Sequence, residues 1–302
     1  MARFDHREDM MDLARRALAH CINQTTDTTE SIMTMPIEAY TDETRYQAER
    51  NRIFSSLPIA GALSIELPKP GNYKTISILE KPLLLVRGDD GKARAFLNVC
   101  RHRGARICEA EEGVVKKFSC PYHSWVYDLQ GNLTSRYAAN TFGDLDQSSL
   151  GLTPLGCEEE AGIIWLTLDS SEQIDMKKWL GGMHEKVASL DLGNWHLFKK
   201  RELEGPGWKV TMDGYLEIYH HNTVHGRTVG QHTIGNLLVL DTHGPHQRLT
   251  LGRKSLKSLE TQPEEHWEPL EHIRLVHNCF PNLSISGILG DHCLVSLVFP
   301  GP

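Results

Sequence analysis

The sequence predicts a mixed helix-and-strand fold, with a small β domain of roughly 110 residues inserted between helical and mixed segments. Three observations predict it. The N-terminal stretch repeats apolar residues at helical spacing. From about residue 55 the chain breaks into short strand-like runs separated by turn residues, and this texture lasts to Asp169. It then turns helical again before mixed strands close the sequence.

The elements follow in order. "REDMMDLARRALAH" places Met10, Met11, Ala14, Ala17 and Leu18 on one helical face. "TDETRYQAERNRIF" predicts a second helix, capped at its free amides by Thr41 or Asp42. "KTISIL" reads as a strand, and "LLLVRGDDGKARAFLNV" as a hairpin turning on Asp90 and Gly91. "WVYDLQGNL" and "GIIWLTLD" continue the β pattern. In "DMKKWLGGMHEKVASL", Met176, Trp179, Leu180, Met183, Val187 and Leu190 form one stripe, which predicts a single core-facing helix. The boundaries expected are 1–52 for an N-terminal helical segment, 53–169 for the β domain and 170–302 for the remainder.

Composition narrows the function. The chain has 302 residues, 40% hydrophobic and 24% charged, with a formal net charge of -7 and no basic run beyond paired lysines. A nucleic-acid or anionic-membrane partner needs a concentrated positive surface, so neither is expected. The N-terminus shows no signal-peptide core, and no segment approaches the ~20 apolar residues of a membrane span. A cytoplasmic protein is expected, and its seven cysteines read as ligands or core residues in preference to disulfides.

One stretch carries chemistry directly. Cys100-x-His102 is followed, after seventeen residues, by Cys120-x-x-His123. Gly104 and Pro121 are loop-shaping residues, so each Cys-His pair should sit in a tight loop. Three readings compete: coincidence, a structural zinc site, and a Rieske [2Fe-2S] centre. Interleaving suits the last, because each loop then gives one ligand to each iron. Cys108, between the pairs, has no partner at ligand spacing and reads as a packing residue.

A second cluster lies in "GYLEIYHHNTVH", with Glu217, His220, His221 and His225. An iron here would take two His and one carboxylate. On an ideal helix, His221 and His225 share a face, whereas His220 and His225 diverge by about 140°. Geometry alone therefore favours His221 with His225. The motif is not H-E-x-x-H, which argues against a zinc peptidase.

"CRHRGA…CPYHSW" resembles the Rieske signature of ring-hydroxylating oxygenases, and "EIYHHNTVH" resembles the iron-binding run of their large, terminal subunits. The likeness covers the chain from about residue 40 onward, including Gly207 to Lys209 and Tyr215. It implies an α+β fold, with an all-β Rieske domain placed before a helix-on-antiparallel-sheet catalytic domain. It implies Cys100, His102, Cys120 and His123 as [2Fe-2S] ligands, and His220 with His225 as ligands of a mononuclear iron on a distorted helix. Glu217 would bridge a cluster histidine, His123, of one subunit to the iron histidine His220 of the next. Asp213 stands where many relatives have Asn.

The resemblance also implies an Asp ligand on a helix far downstream. Asp241, Glu271 and Asp291 are available carboxylates, but none sits in such a context. A C-terminally truncated chain that lacks the third ligand is therefore expected. The function implied is that of a terminal oxygenase activating O2 to hydroxylate or demethylate an aromatic or other small organic substrate. No Gly-rich dinucleotide fingerprint is present, so NAD(P)H electrons would arrive through a separate reductase, with or without a ferredoxin. A head-to-tail homotrimer is implied, with or without a small beta subunit. The alternatives are a Rieske electron carrier without oxygenase activity and a structural zinc protein.

Overall fold

The computed structural model describes residues 7–287 and 292–301. Its helices are α1 (Arg7–Asn23), α2 (Glu38–Thr41), α3 (Glu43–Glu49), α4 (Met176–Leu180), α5 (Met183–Ala188), α6 (Trp208–Leu216), α7 (His221–Val224) and α8 (Pro269–His272). Its strands are β1 (Ile59–Leu63), β2 (Asn72–Ile78), β3 (Lys81–Arg87), β4 (Ala93–Leu97), β5 (Glu112–Val114), β6 (Phe118–Ser119), β7 (Val126–Tyr127), β8 (Leu133–Ser135), β9 (Pro154–Glu160), β10 (Ile163–Thr167), β11 (Thr233–His243), β12 (His246–Arg253), β13 (Ile273–Cys279), β14 (Leu283–Ser286) and β15 (Leu294–Leu297). The chain forms two compact units. One takes Met1–Tyr46, Leu180–Leu190 and Leu203–Val298; the other takes Gln47–Trp179, Asp191–Glu202 and Phe299–Pro302.

The second of these is β-rich, as expected. A seven-stranded antiparallel sheet runs β1-β10-β9-β4-β3-β2-β5, and a small sheet β6-β7-β8 completes the unit. β3 reads as an unbroken apolar run because Leu83, Leu84, Leu85 and Val86 are all fully buried. A strand covered on both faces has no solvent side on which to place polar residues. Asn98, just past β4, is buried and ties the following loop down. Its Oδ1 accepts from the amides of Ile107 (3.1 Å) and Cys108 (3.0 Å), and its Nδ2 donates to the Cys108 carbonyl (2.7 Å).

The other unit is a five-stranded antiparallel sheet, β11-β12-β13-β14-β15, with helices on it. Strand alternation loads both faces. Leu237, Val239, Ile273 and Leu275 pack with Met10, Met11, Leu13, Ala14, Ala17 and Leu18 of α1. Leu238, Leu240, Leu249, Leu251 and Val276 pack with Ile218 on the opposite face. The apolar stripe of α1 is thus the one the sequence predicts, with Leu13 added. Each fully buried Leu or Met contributes roughly 1.5–3 kcal/mol of burial energy. Beside β11, Thr26 Oγ1 accepts the Leu238 amide (3.0 Å) and Asp27 Oδ2 the Leu240 amide (2.8 Å), which occupies the sheet edge.

Two local expectations change. The second helix begins at Glu43, with Asp42 Oδ1 accepting the Arg45 amide at 2.9 Å, and it loosens into a wider turn over Arg50–Phe54. The single helix expected over 175–190 is two helices, α4 and α5. The break falls at Gly181, whose φ of +51° is left-handed and ends the first segment. The apolar stripe is nevertheless buried, apart from a half-buried Trp179.

α1 is also tied electrostatically. Arg248 of β12, only 4% exposed, donates to Asp9 of α1 and to Asp241 of β11, and Arg16 donates to Asp241 at 2.7 Å. Burial acts to raise the Asp9 carboxyl, but hydrogen bonds from Arg248 and Lys186 outweigh it and hold it at about 2. Because the folded value is depressed, this stabilisation is complete above pH ~4, the range of an unperturbed Asp, and fades as pH falls towards 2. Asp9→Asn should therefore cost about 3 kcal/mol in urea unfolding at pH 7. Asp12→Asn, which touches only the exposed side of Arg16 at 3.5 Å, should cost less than about 0.5 kcal/mol.

Candidate metal centres

The two Cys-His pairs sit in loops of the same build. In the first, the Cys100 amide donates to the Ala105 carbonyl (2.8 Å) and the Gly104 amide to the Cys100 carbonyl (3.0 Å). In the second, the Cys120 amide donates to the Trp125 carbonyl (2.8 Å) and the Ser124 amide to the Cys120 carbonyl (3.0 Å). Each loop turns through a left-handed residue four positions after its cysteine, Gly104 at φ +73° and Ser124 at φ +53°. The glycine after the first pair is thus a conformational requirement. Both loops present one thiol and one imidazole.

These four side chains gather above a shared core that includes Tyr73, Phe118, Trp125, Tyr127 and Leu129. Cys100 and Cys120 are buried. The His102 and His123 rings lie 4.7 Å apart, and His102 stacks flat on Trp125 at 4.8 Å. Tyr127 was not singled out in the sequence, yet its hydroxyl lies 3.3 Å from Cys100 Sγ and accepts the Arg101 amide at 3.1 Å. A ligating thiolate at Cys100 could only accept, so the hydroxyl proton would then be directed to the sulfur. Its place on β7, alternating inward from Trp125, was the available signal. Burial pushes the Cys100 thiol up and Cys120 adds to this, against the Tyr127 hydrogen bond that lowers it. Burial also lowers His102, with help from His123 and Arg103.

The donor set fits a two-iron cluster. His102 Nδ1 is buried and makes no hydrogen bond, which is costly for an imidazole nitrogen unless it serves as a ligand. Two cysteines and two histidines are the Rieske complement. No group of three or more His, Cys, Asp or Glu side chains converges on a single ion among the described residues. A centre with two protein ligands on each of two irons has no such convergence.

The second cluster occupies a broken helix. α6 ends at Leu216, Glu217 is extended (φ -137°, ψ 162°), and His220 opens the single turn α7, which His225 closes. The 140° divergence of an ideal helix does not apply to such a path. The His220 and His225 rings are 5.1 Å apart, while His221 is 5.0 Å from His220 and 5.7 Å from His225. Ring distances leave all three together; Glu217 separates them. Its carboxylate is hydrogen-bonded to His220 Nδ1 and accepts the His220 amide at 3.2 Å. A carboxylate on one imidazole nitrogen fixes the tautomer and frees the other for a metal. Burial acts to raise Glu217, but the His220 contacts prevail and keep it below the usual range. The residues fit the two-histidine part of a mononuclear site.

The carboxylates considered for the third position lie elsewhere or out of view. Asp241 is held by Arg16 and Arg248, Glu271 is exposed on α8, and Asp291 lies outside the described residues. Asp213 accepts the Tyr40 hydroxyl at 2.6 Å, a second-layer contact the sequence did not reveal. Cys108 is half-buried against the β-domain core, as a packing residue should be. All seven cysteines are free.

Comparison with known proteins agrees with this geometry. Residues 59–145 match the Rieske [2Fe-2S] domain, and residues 192–302 match the ring-hydroxylating alpha subunit (catalytic domain). The chain therefore carries a Rieske domain and a ring-hydroxylating alpha-subunit catalytic domain, and it is homologous to Rieske oxygenase large subunits. The glycine betaine monooxygenase oxygenase subunit of Pseudomonas aeruginosa (strain UCBPP-PA14) is 31% identical over 220 residues, 72% of this chain and 49% of that protein. The benzene 1,2-dioxygenase subunit alpha of Pseudomonas putida is 38% identical over 143 residues, 47% of this chain and 32% of that protein. A solved quaternary ammonium Rieske monooxygenase in complex with L-carnitine shares the fold, with TM-score 0.75 at 24% identity, covering 88% of this chain and 71% of the other. The chain spans about half the length of the glycine betaine relative. Its domains imply a Rieske cluster and a mononuclear iron. Among the described residues no helix is long and apolar enough to cross a membrane.

Hydrogen bonds to cluster sulfurs favour the reduced, more negative state. Tyr127→Phe should therefore leave the visible spectrum of the cluster in place and lower its potential, as read by protein-film voltammetry. An unchanged potential would show that the Tyr127 proton does not reach the sulfur.

Proposed function

We propose that this chain is the electron-receiving and iron-binding part of a Rieske oxygenase large subunit. Cys100 and Cys120 hold one iron of the cluster, and His102 and His123 the other. His220 and His225 hold the mononuclear iron, with His221 beside them. When bound, the cluster supplies single electrons and the iron supplies the site at which O2 is activated for hydroxylation or oxidative demethylation. The observation that carries this reading is the matched pair of loops, each presenting one thiol and one imidazole over a common core.

The protein's own residues set the conditions. Burial of the two thiols and stacking of His102 on Trp125 keep water from one side of the cluster site. Glu217 orients His220 while its own side chain stays 44% exposed, which leaves it open to a second copy of the chain. His123 carries Tyr122 against its ring at 3.7 Å, and Tyr122 is 62% exposed. These features support electron passage from His123 of one subunit through Glu217 to His220 of the next, in a head-to-tail homotrimer. A cytoplasmic reductase would deliver the electrons. Glycine betaine and L-carnitine, named in the relatives and neighbours, are the first substrates to assay, with benzene as the aromatic comparison.

Two tests follow. The purified chain should be red-brown with acid-labile sulfide, and Cys100→Ser should abolish both; a colourless zinc-bearing preparation would sink the cluster reading. Glu217→Gln keeps the shape and removes the charge. It should leave the cluster reducible by dithionite and the His-site metal in place, but slow single-turnover oxidation of the cluster by O2 and substrate about tenfold or more. A rate equal to the parent's would show that electrons take another route.

A further inference from the structure

The turn that carries the three histidines is held at both ends by residues that lie outside it. We infer that Asn278 and Gly230 are positioning residues for the His220–His225 site, an inference that rests on reading those histidines as metal ligands.

At the start of the turn the question is why α6 stops at Leu216. The last carbonyls of a helix have no intrahelical partner, and a continuing helix would satisfy the Tyr215 carbonyl with the amide of Tyr219. Here the Tyr215 carbonyl accepts instead from Asn278 Nδ2 of β13, at 3.0 Å. Asn278 is only 3% exposed, so no water competes for that donor. The Tyr215 hydroxyl is also bonded, to Ser296 Oγ of β15 at 2.9 Å. With its carbonyl satisfied from the sheet, the chain is released from the helix and Glu217 extends. The extension brings the His220 and His225 rings to 5.1 Å, where a continued helix would send them about 140° apart.

At the end of the turn the His225 carbonyl collects the Thr228 and Gly230 amides, each at 2.9 Å, and the Thr228 hydroxyl at 3.3 Å. Gly230 is there for space. A Cβ at this position would lie 2.6 Å from the His221 carbonyl oxygen and 2.8 Å from that of His225. Both are backbone atoms of the histidine turn, so a side chain could be admitted only by moving the turn. The backbone of Gly230 is not in the left-handed region, which leaves close approach as the reason for glycine.

The experiment uses the full chain with its cluster loaded and titrates Co2+ into the iron-stripped histidine site, reading affinity and ligand-field absorption. Asn278→Leu and Gly230→Ala should each weaken Co2+ about 10- to 100-fold and alter its absorption, with the cluster spectrum unchanged. Where Asn278→Leu does not fold, Asn278→Asp carries the test, since it keeps the shape and has no donor when ionised. Tyr215→Phe removes the hydroxyl and keeps the carbonyl contact, so it should bind Co2+ like the parent; a loss as large as that of Asn278→Leu would assign the effect to general loosening of α6 and overturn the role of Asn278. His225→Ala separates the two levels of the argument. If it binds Co2+ like the parent, the ligand reading fails; if it loses Co2+ while the Asn278 and Gly230 variants stay within about twofold of the parent, the positioning inference fails.

Discussion

The five-stranded sheet has to be covered on both faces, and the placement of the histidine turn depends on that constraint. Consecutive residues Leu237, Leu238, Val239 and Leu240 of β11 are apolar, so neither face can be left to solvent. α1 covers one face through Met10, Leu13, Ala14 and Ala17. Ile218 packs on the other with Leu249 and Leu251. Ile218 sits between Glu217 and His220 in sequence, so the apolar contact that anchors it also pins the histidine turn to the sheet. Burial that closes the core in this way also locates the histidines.

The two candidate centres share a structural device. None of their histidines occupies the middle of a long regular element: His102 and His123 lie in closed loops, and His220 and His225 flank a single turn. Regular helix or strand would fix the angle between neighbouring side chains at 100° or 180°, which suits few ligand sets. A loop closed by its own backbone hydrogen bonds escapes that restriction without losing rigidity. Gly104 and Ser124 in left-handed conformation do this for the cluster loops. Asn278 does it for the histidine turn by taking over a helix carbonyl.

This explains what was legible in the sequence. The β domain, the hairpin on Asp90 and Gly91, the stripe on α1 and the pairing of Cys100-His102 with Cys120-His123 all rest on residue type and short spacing, which fold locally. Spacing favours His221 with His225 only on an ideal helix, and the helix is broken through this segment. The cause of that break lies some sixty positions away on β13, and nothing in "GYLEIYHHNTVH" records it. Asn98 was missed for a related reason: it acts by hydrogen bonds across a loop, and a lone Asn in a β-rich stretch carries no pattern. The helix expected over 175–190 failed at Gly181, because an apolar stripe in sequence persists across a break when each piece buries its own apolar positions.

The position of Asp241 shows how far strand alternation alone can decide a chemical question. It follows Leu240 directly, and Leu240 belongs to the face on which Ile218 packs. Successive strand residues point to opposite faces, so the Asp241 carboxylate belongs to the α1 face, where Arg16 and Arg248 take it. Although burial would raise it, those two guanidinium groups hold it below the usual carboxylate range and occupy its oxygens. A carboxylate so engaged would have to abandon three charge-assisted bonds and cross the sheet to reach the face on which Ile218 packs. Strand alternation thus assigns Asp241 to α1 and its arginines, whatever its nearness in sequence to an apolar residue of the other face.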